Sequence, residues 1–175
     1  GLTSLSLAKN FINKKINVHI YYKSKIQKLT PSRMIGISKN NLEFYKKEIH
    51  KIPKQNCWQI NKIEIYSQKL KNENLLNFKN KKNDLFYIVK KDELYESLKK
   101  EVFKSKFFKR IIIKKTLDEE RLNKKGYDLI INCDSNNFLS NKFFTKKIDK
   151  NYDNLAYTTI LKHKKLKNNF ATQIF

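Results

Sequence analysis

Residues 1–22, GLTSLSLAKNFINKKINVHIYY, decide how this chain is read. Leu2, Leu5, Ala8 and Ile12 recur at spacings of three and four, which places them on one face of a helix over residues 2 to 14. Lys14 and Lys15 fall at the negative C-terminal end of that helix, where cations are favoured. Ile16 to Tyr22 then alternates and is rich in β-branched and aromatic residues, so a strand follows after a very short turn. A helix running directly into a strand is a β-α-β unit without its first strand. At its N-terminus Gly1, Leu2, Thr3 and Ser4 offer free backbone N–H groups, the feature that holds a pyrophosphate in dinucleotide folds. Gly1 fits the last glycine of a G-x-G-x-x-G fingerprint.

The rest of the chain continues an α/β pattern with no internal repeat. Residues 23–37 read as a polar connection containing TPSRMIGIS, and Asn40 to Glu48 as a short helix. NKIEIYS (61–67), NLLNFK (74–79) and DLFYIVK (84–90) read as strands without long helices between them, which implies antiparallel pairing. KDELYESLKKEVFK (91–104) is a helix with Leu94, Leu98 and Val102 on one face and Asp92 and Glu93 in its first turn. KRIIIKK (109–115) and YDLIINCD (127–134) read as buried strands, and LAYTTILKH (155–163) and FATQIF (170–175) as two more.

Composition bounds the partners. At 175 residues and 39% hydrophobic, the chain can bury one core. A net charge of +23 raises nucleic acid as a partner. Only Arg33, Arg110 and Arg121 are arginines, however, and the lysines are spread along the whole length. Base-edge and bidentate phosphate recognition favour arginine, so a solvated lysine surface explains the charge better than a nucleic-acid module. Cys57 and Cys133 have no CxxC or His-spaced partners, and His19, His50 and His163 share no metal-ligand spacing. Neither a structural disulfide nor a zinc site is expected. No stretch approaches the roughly 20 apolar residues of a membrane span. These features imply a reduced, cytoplasmic protein, at most peripheral to a membrane.

The order of GLTSLSLAKNFINKKINVHIYY, SRMIGIS, IEIY, FYIVKKDELYESL, DLIINCD and NFATQIF resembles the FAD-dependent aromatic monooxygenases of the ubiquinone-biosynthesis hydroxylase family, relatives of para-hydroxybenzoate hydroxylase. The resemblance runs collinearly over essentially the whole chain and corresponds to roughly the N-terminal half of such an enzyme. It implies an α/β, Rossmann-like FAD-binding domain with its first strand missing and the beginning of an antiparallel substrate-domain sheet. In that layout residues 1–60 and 91–150 belong to the FAD-binding part, and residues 61–90 and 151–175 to the substrate side.

The same resemblance implies cofactor contacts residue by residue. Gly1 and the N–H groups of Leu2, Thr3 and Ser4 would face the FAD pyrophosphate. Arg33 in SRMIGIS matches an arginine close to the flavin, and Asp134 in CDSNNFLSNK matches the aspartate of an Asp-Gly motif. Several positions depart from the pattern. Tyr22 stands where an acid would contact the adenosine ribose, Asp92 where a basic or amide group would contact the cofactor, Ser135 where the motif has glycine, and Asn141 where it has arginine. The activity implied is hydroxylation of the aromatic ring of a phenolic quinone precursor, with NAD(P)H as co-substrate and dioxygen as oxidant. The cofactor carries that chemistry, and no catalytic side chain stands out. The departures motivate a second reading, a non-catalytic relative serving as scaffold in a biosynthetic complex. A lysine-rich nucleic-acid-binding module is the third.

Overall fold

In the computed structural model, residues 1–23, 33–70, 73–79, 84–113, 122–134, 138–143, 150–153 and 169–174, with 155, 157 and 159, are described. Helix α1 spans Leu2–Asn13 and buries Leu5, Ala8 and Ile12, three of the four residues in its apolar row. It ends in a Schellman motif: Ile16 N donates to Phe11 O at 3.0 Å and Lys15 N to Ile12 O at 2.9 Å. Lys15 occupies the left-handed position of that motif, with φ of 61°, where glycine is the usual residue. The turn delivers the chain into β1 (Val18–Lys23).

Strand β2 (Met34–Ser38) leads into α2 (Lys39–Glu48), which Ser38 caps by accepting from Asn41 N. The chain continues through β3 (Cys57–Ile60), β4 (Lys62–Ser67), β5 (Glu73–Lys79) and β6 (Phe86–Lys90). Helix α3 (Lys91–Phe103) then leads into β7 (Phe108–Ile113), followed by α4 (Phe138–Phe143) and β8 (Phe170–Ile174).

The described strands form three sheets. β1 and β7 pair in parallel, Val18 opposite Phe108 through Lys23 opposite Ile113. β2 and β3 both pair antiparallel to β6. β4 is flanked by antiparallel β5 and parallel β8. The core lies where α1, α3 and the first two sheets meet. Leu94, Leu98 and Val102 of α3 pack with the apolar row of α1, with Leu42, Ile52 and Val89, and with half-buried Val18, Ile20 and Ile37. The mixture of parallel and antiparallel sheets with helices is the α/β class that the sequence implies.

Four local readings change. The connection expected over 23–37 contains β2, because MIGIS alternates against β6. The tetrad CWQI is the strand β3, too short to carry a periodic signal. The strand expected over 84–90 pairs with β2 and β3 rather than with β4 and β5. Residues 127–134 form no strand: Leu129 is 67% exposed, and Ile130, Ile131 and Cys133 are exposed as well. An apolar run becomes a buried strand only when another strand offers it a backbone edge, and none pairs with it among the described residues. Most of the strand expected over 155–163 lies outside the described residues, as does Arg121.

Candidate functional site

The parallel pair fixes where the candidate residues lie. Only Lys14 to Asn17 separate α1 from β1, so helix and strand run antiparallel side by side. Twelve helical residues and six strand residues both span about 18–20 Å. Gly1 is therefore level with Tyr22 and Lys23, at the carboxyl edge of the pair. The short link from α3 to β7 places the N-terminus of α3 at that edge too. Ligands bind at this edge in open α/β sheets.

Two helix N-termini thus face one edge, and they differ in charge. α3 has Asp92 and Glu93 in its first turn. Asp92 Oδ1 accepts from Glu93 N at 2.9 Å, and Glu93 pairs with Lys90 at 2.8 Å, so this terminus carries its own anions. α1 has no acid in its first turn. Its first intrahelical bond runs from Leu5 N to Gly1 O at 3.2 Å, which leaves the N–H groups of Leu2, Thr3 and Ser4 without intrahelical acceptors. The Ser4 hydroxyl donates to Gly1 O at 2.9 Å and accepts from the Gly1 ammonium at 3.1 Å, which closes the first turn. The first acidic residue of the chain is Glu43, so residues 1–42, with eight lysines and arginines, are uniformly positive.

Arg33 belongs to the same edge. Its carbonyl accepts from Lys91 N at 2.9 Å, which ties it to the start of α3, and its side chain is exposed. Tyr22, the next-to-last residue of β1, has its hydroxyl buried and without a hydrogen-bond partner among the described residues. The Arg110 guanidinium lies 4.1 Å from the centre of the Tyr22 ring and 5.5 Å from that of Phe103.

Asp134 sits apart from these groups, in a turn rather than at a strand end. Its N–H donates to Asn132 Oδ1 at 3.1 Å, and its carbonyl accepts from the Ser140 hydroxyl at 3.0 Å. Ser140 is also reached by Asn132 Nδ2 at 2.8 Å and is buried at the start of α4. Ser140 is the residue that pins this turn, and nothing in the local sequence marks it out. Further upstream, the Tyr127 hydroxyl lies 2.7 Å from His19 Nδ1 and 2.6 Å from the Tyr21 hydroxyl. Burial, aided by the Tyr21 contact, pushes the Tyr127 phenol up to about 12. Burial, with Lys109 and Lys125 nearby, holds His19 below the usual imidazole range.

A second cluster escapes the sequence because its members are far apart in the chain. Buried His50 lies with Nε2 2.8 Å from the Ser97 hydroxyl and Nδ1 3.2 Å from Glu101 Oε1. Lys9 reaches the other Glu101 oxygen at 2.9 Å. The order Ser-His-Glu invites comparison with a nucleophilic triad. Ser97, however, lies in the middle of α3, where helical bonding occupies the backbone amides that would stabilise an oxyanion. The contact from Nδ1 to Glu101 also lacks the alignment of a hydrogen bond. The cluster is a clamp joining the end of α2 to α1 and α3.

Three N–H groups at the positive end of α1 would offer donors to a pyrophosphate, while Tyr22, its hydroxyl buried, supplies no carboxylate for a ribose. Asp92, inside the first turn of α3 and accepting from Glu93 N, places a negative charge where the resemblance has a basic or amide cofactor contact. No group of three or more His, Cys, Asp or Glu able to hold a metal occurs among the described residues. No protein-family model matches the sequence, and no curated protein matches it.

Proposed function

We propose that this chain is the FAD-binding part of an aromatic-ring hydroxylase that acts on a phenolic quinone precursor with NAD(P)H and dioxygen. The observation that carries this reading is the acid-free first turn of α1, whose Leu2, Thr3 and Ser4 N–H groups have no intrahelical acceptors, at the carboxyl edge of a parallel strand pair. The N–H groups of Leu2, Thr3 and Ser4 hold the pyrophosphate, and Arg33 adds positive charge at the same edge. Asp134, whose turn is fixed by Asn132 and Ser140, is the further cofactor contact that the resemblance implies. A bound flavin would supply the chemistry there: two electrons from NAD(P)H reduce dioxygen so that one oxygen atom enters an electron-rich ring and the other leaves as water. The protein contributes binding, orientation and exclusion of water.

The scaffold reading has an observation of its own. Asp92 places a negative charge in the first turn of α3, where the resemblance has a basic or amide cofactor contact, and residues 127–134 pair with no strand among the described residues. Visible absorption of the protein after gel filtration with added FAD separates the two readings. The hydroxylase reading expects stoichiometric flavin, reduced in Arg33→Ala and Asp134→Ala. Thr3→Glu is the sharper variant: a first-turn acid favours the helix dipole by about 0.3–1 kcal/mol, so the fold survives while the pyrophosphate is repelled. A folded, colourless protein overturns the hydroxylase and leaves the scaffold.

A further inference from the structure

The strand pair β1–β7 turns one face to the helices. Val18, Ile20 and Phe108 pack against the core there, so alternation puts His19, Tyr21 and Lys109 on the opposite face. Lys109 stands directly across from His19 in the register. A turn from further along the chain adds to this face. Lys125 N donates to Leu122 O and Gly126 N to Asn123 O, each at 3.1 Å, and Gly126, with φ of 63°, takes the left-handed conformation that sends Tyr127 back onto β1. The Tyr127 ring meets His19 and Tyr21 edge-on, with ring centres 5.4 and 6.2 Å away, and its hydroxyl contacts both. His19, Lys109 and Lys125 are exposed, and neither lysine pairs with a carboxylate among the described residues.

Two uncompensated ammonium groups beside an imidazole attract an anion. Partial burial and then the charges of Lys109 and Lys125 keep the His19 imidazole uncharged at neutral pH, and no carboxylate acts on it in the other direction. The phenol chain lets that change. Hydrogen bonds from Tyr21 to Tyr127 and on to His19 Nδ1 suit the neutral ring, with its proton on Nε2; the reversed chain, from Nδ1–H to Tyr127 and on to Tyr21, suits the protonated ring. His19 can therefore accept a proton without losing its partner, and Nε2–H is a donor in both states. Nε2 has no hydrogen-bond partner among the described residues. The charges also select the anion. Two lysines and one further proton match a dianion, whereas a phosphodiester or a carboxylate carries a single charge. Lysine binds phosphate as a point charge, with no need of the planar fork of arginine. We propose that Lys109, Lys125 and His19 Nε2 form a binding site for a phosphomonoester dianion, taken up together with a proton on His19, whose ring Tyr127 and Tyr21 orient. The site lies on the face away from α1 and does not depend on flavin.

Imidazole resonances of the 175-residue chain, followed by NMR from about pH 5 to 8 and assigned to His19 by their loss in His19→Gln, test this. Sulfate, a dianion of constant charge over that range, and inorganic phosphate are compared with dimethyl phosphate, a singly charged diester, at equal ionic strength. The expected result is a rise of the His19 midpoint by about half a pH unit or more in sulfate, which is roughly threefold tighter binding to the protonated ring. A saturable shift of the same resonances is expected in phosphate, and neither effect in dimethyl phosphate. In Lys109→Gln with Lys125→Gln the midpoint without sulfate is expected above that of the wild type, because the repulsion is gone, and the sulfate effect is expected to vanish. Circular dichroism should not change, since both lysines are exposed. An equal rise in dimethyl phosphate overturns the proposal in favour of general attraction to lysines. A sulfate effect that survives in the double variant overturns it too, as does a wild-type midpoint that sulfate does not move.

Discussion

The layer built on α1 and α3 and the sheet β5-β4-β8 are written in similar residues but have opposite fates. Leu98 and Val102 on α3 are fully buried, whereas every residue of β5 is exposed, including Leu75, Leu76 and Phe78. Helices present an apolar stripe, and two of them in parallel close on each other and on the strands beside them. A three-stranded sheet has two faces and cannot cover either by itself. Stability is therefore concentrated in the helical layer, and surface chemistry in the sheet.

The contrast is open to direct attack. Leu98→Ala empties a fully buried site in the helical layer and is expected to cost about 2–5 kcal/mol in urea unfolding. A much smaller loss would mean that the layer is not the stabilising unit. His50→Ala removes the clamp between α2, α1 and α3, leaves Ser97 and Glu101 short of a partner, and is expected to cost about 1–3 kcal/mol. Lys15→Gly works in the other direction. Its left-handed backbone costs an L-residue about 1–2 kcal/mol, part of which glycine returns as unfolded-chain entropy, so a rise of up to about 1 kcal/mol is expected in the same measurement.

Acid sharpens the comparison further. Burial raises the Glu101 carboxyl, but the hydrogen bond from Lys9 and the charges of His50 and Lys9 outweigh it and hold it below the usual carboxylate range. A depressed folded-state value means that the contribution is present above the unfolded value of about 4.3 and fades as pH falls through the folded one. Glu101→Gln is expected to flatten that part of a melting-temperature profile below about pH 4.3 without changing the neutral-to-alkaline limb. The effect is small, since half of the Glu101 side chain meets water. Smallest of all, Leu76→Asp is expected to change unfolding free energy by less than about 0.5 kcal/mol. A larger loss would show that the sheet face packs on something after all.

How much of this was legible in the sequence follows the same division. α1, α3, β1, β4 and β5 carry periods long enough to declare themselves, and the buried faces of both helices match their apolar rows. β2 and β3 are short, and β2 carries a glycine within five residues, so neither builds a periodic signal. DLIINC misleads for another reason: its apolarity is real, but burial depends on a neighbour that local sequence does not encode. The candidate site shows the same limit. The α1 terminus is a local feature and can be read directly, and Arg33 joins it only through the link between its carbonyl and Lys91. Ser140 under Asp134, and His50 between Ser97 and Glu101, arise from chain folding that no spacing announces.

Strand order also sets a timetable. The β4–β5 hairpin pairs Lys62 with Lys79 and closes a short loop, whereas the β1–β7 pair joins Val18 to Phe108 and must wait for most of the chain between them. Because loop closure precedes the contacts that reward it, the hairpin is expected to protect its amides before the parallel pair does, an order that pulse-labelled hydrogen exchange reads residue by residue. The molecule would then display its apolar sheet while its core is still assembling. Its many lysines, mutually repelling at that stage, are what keep one nascent chain from adhering to the next.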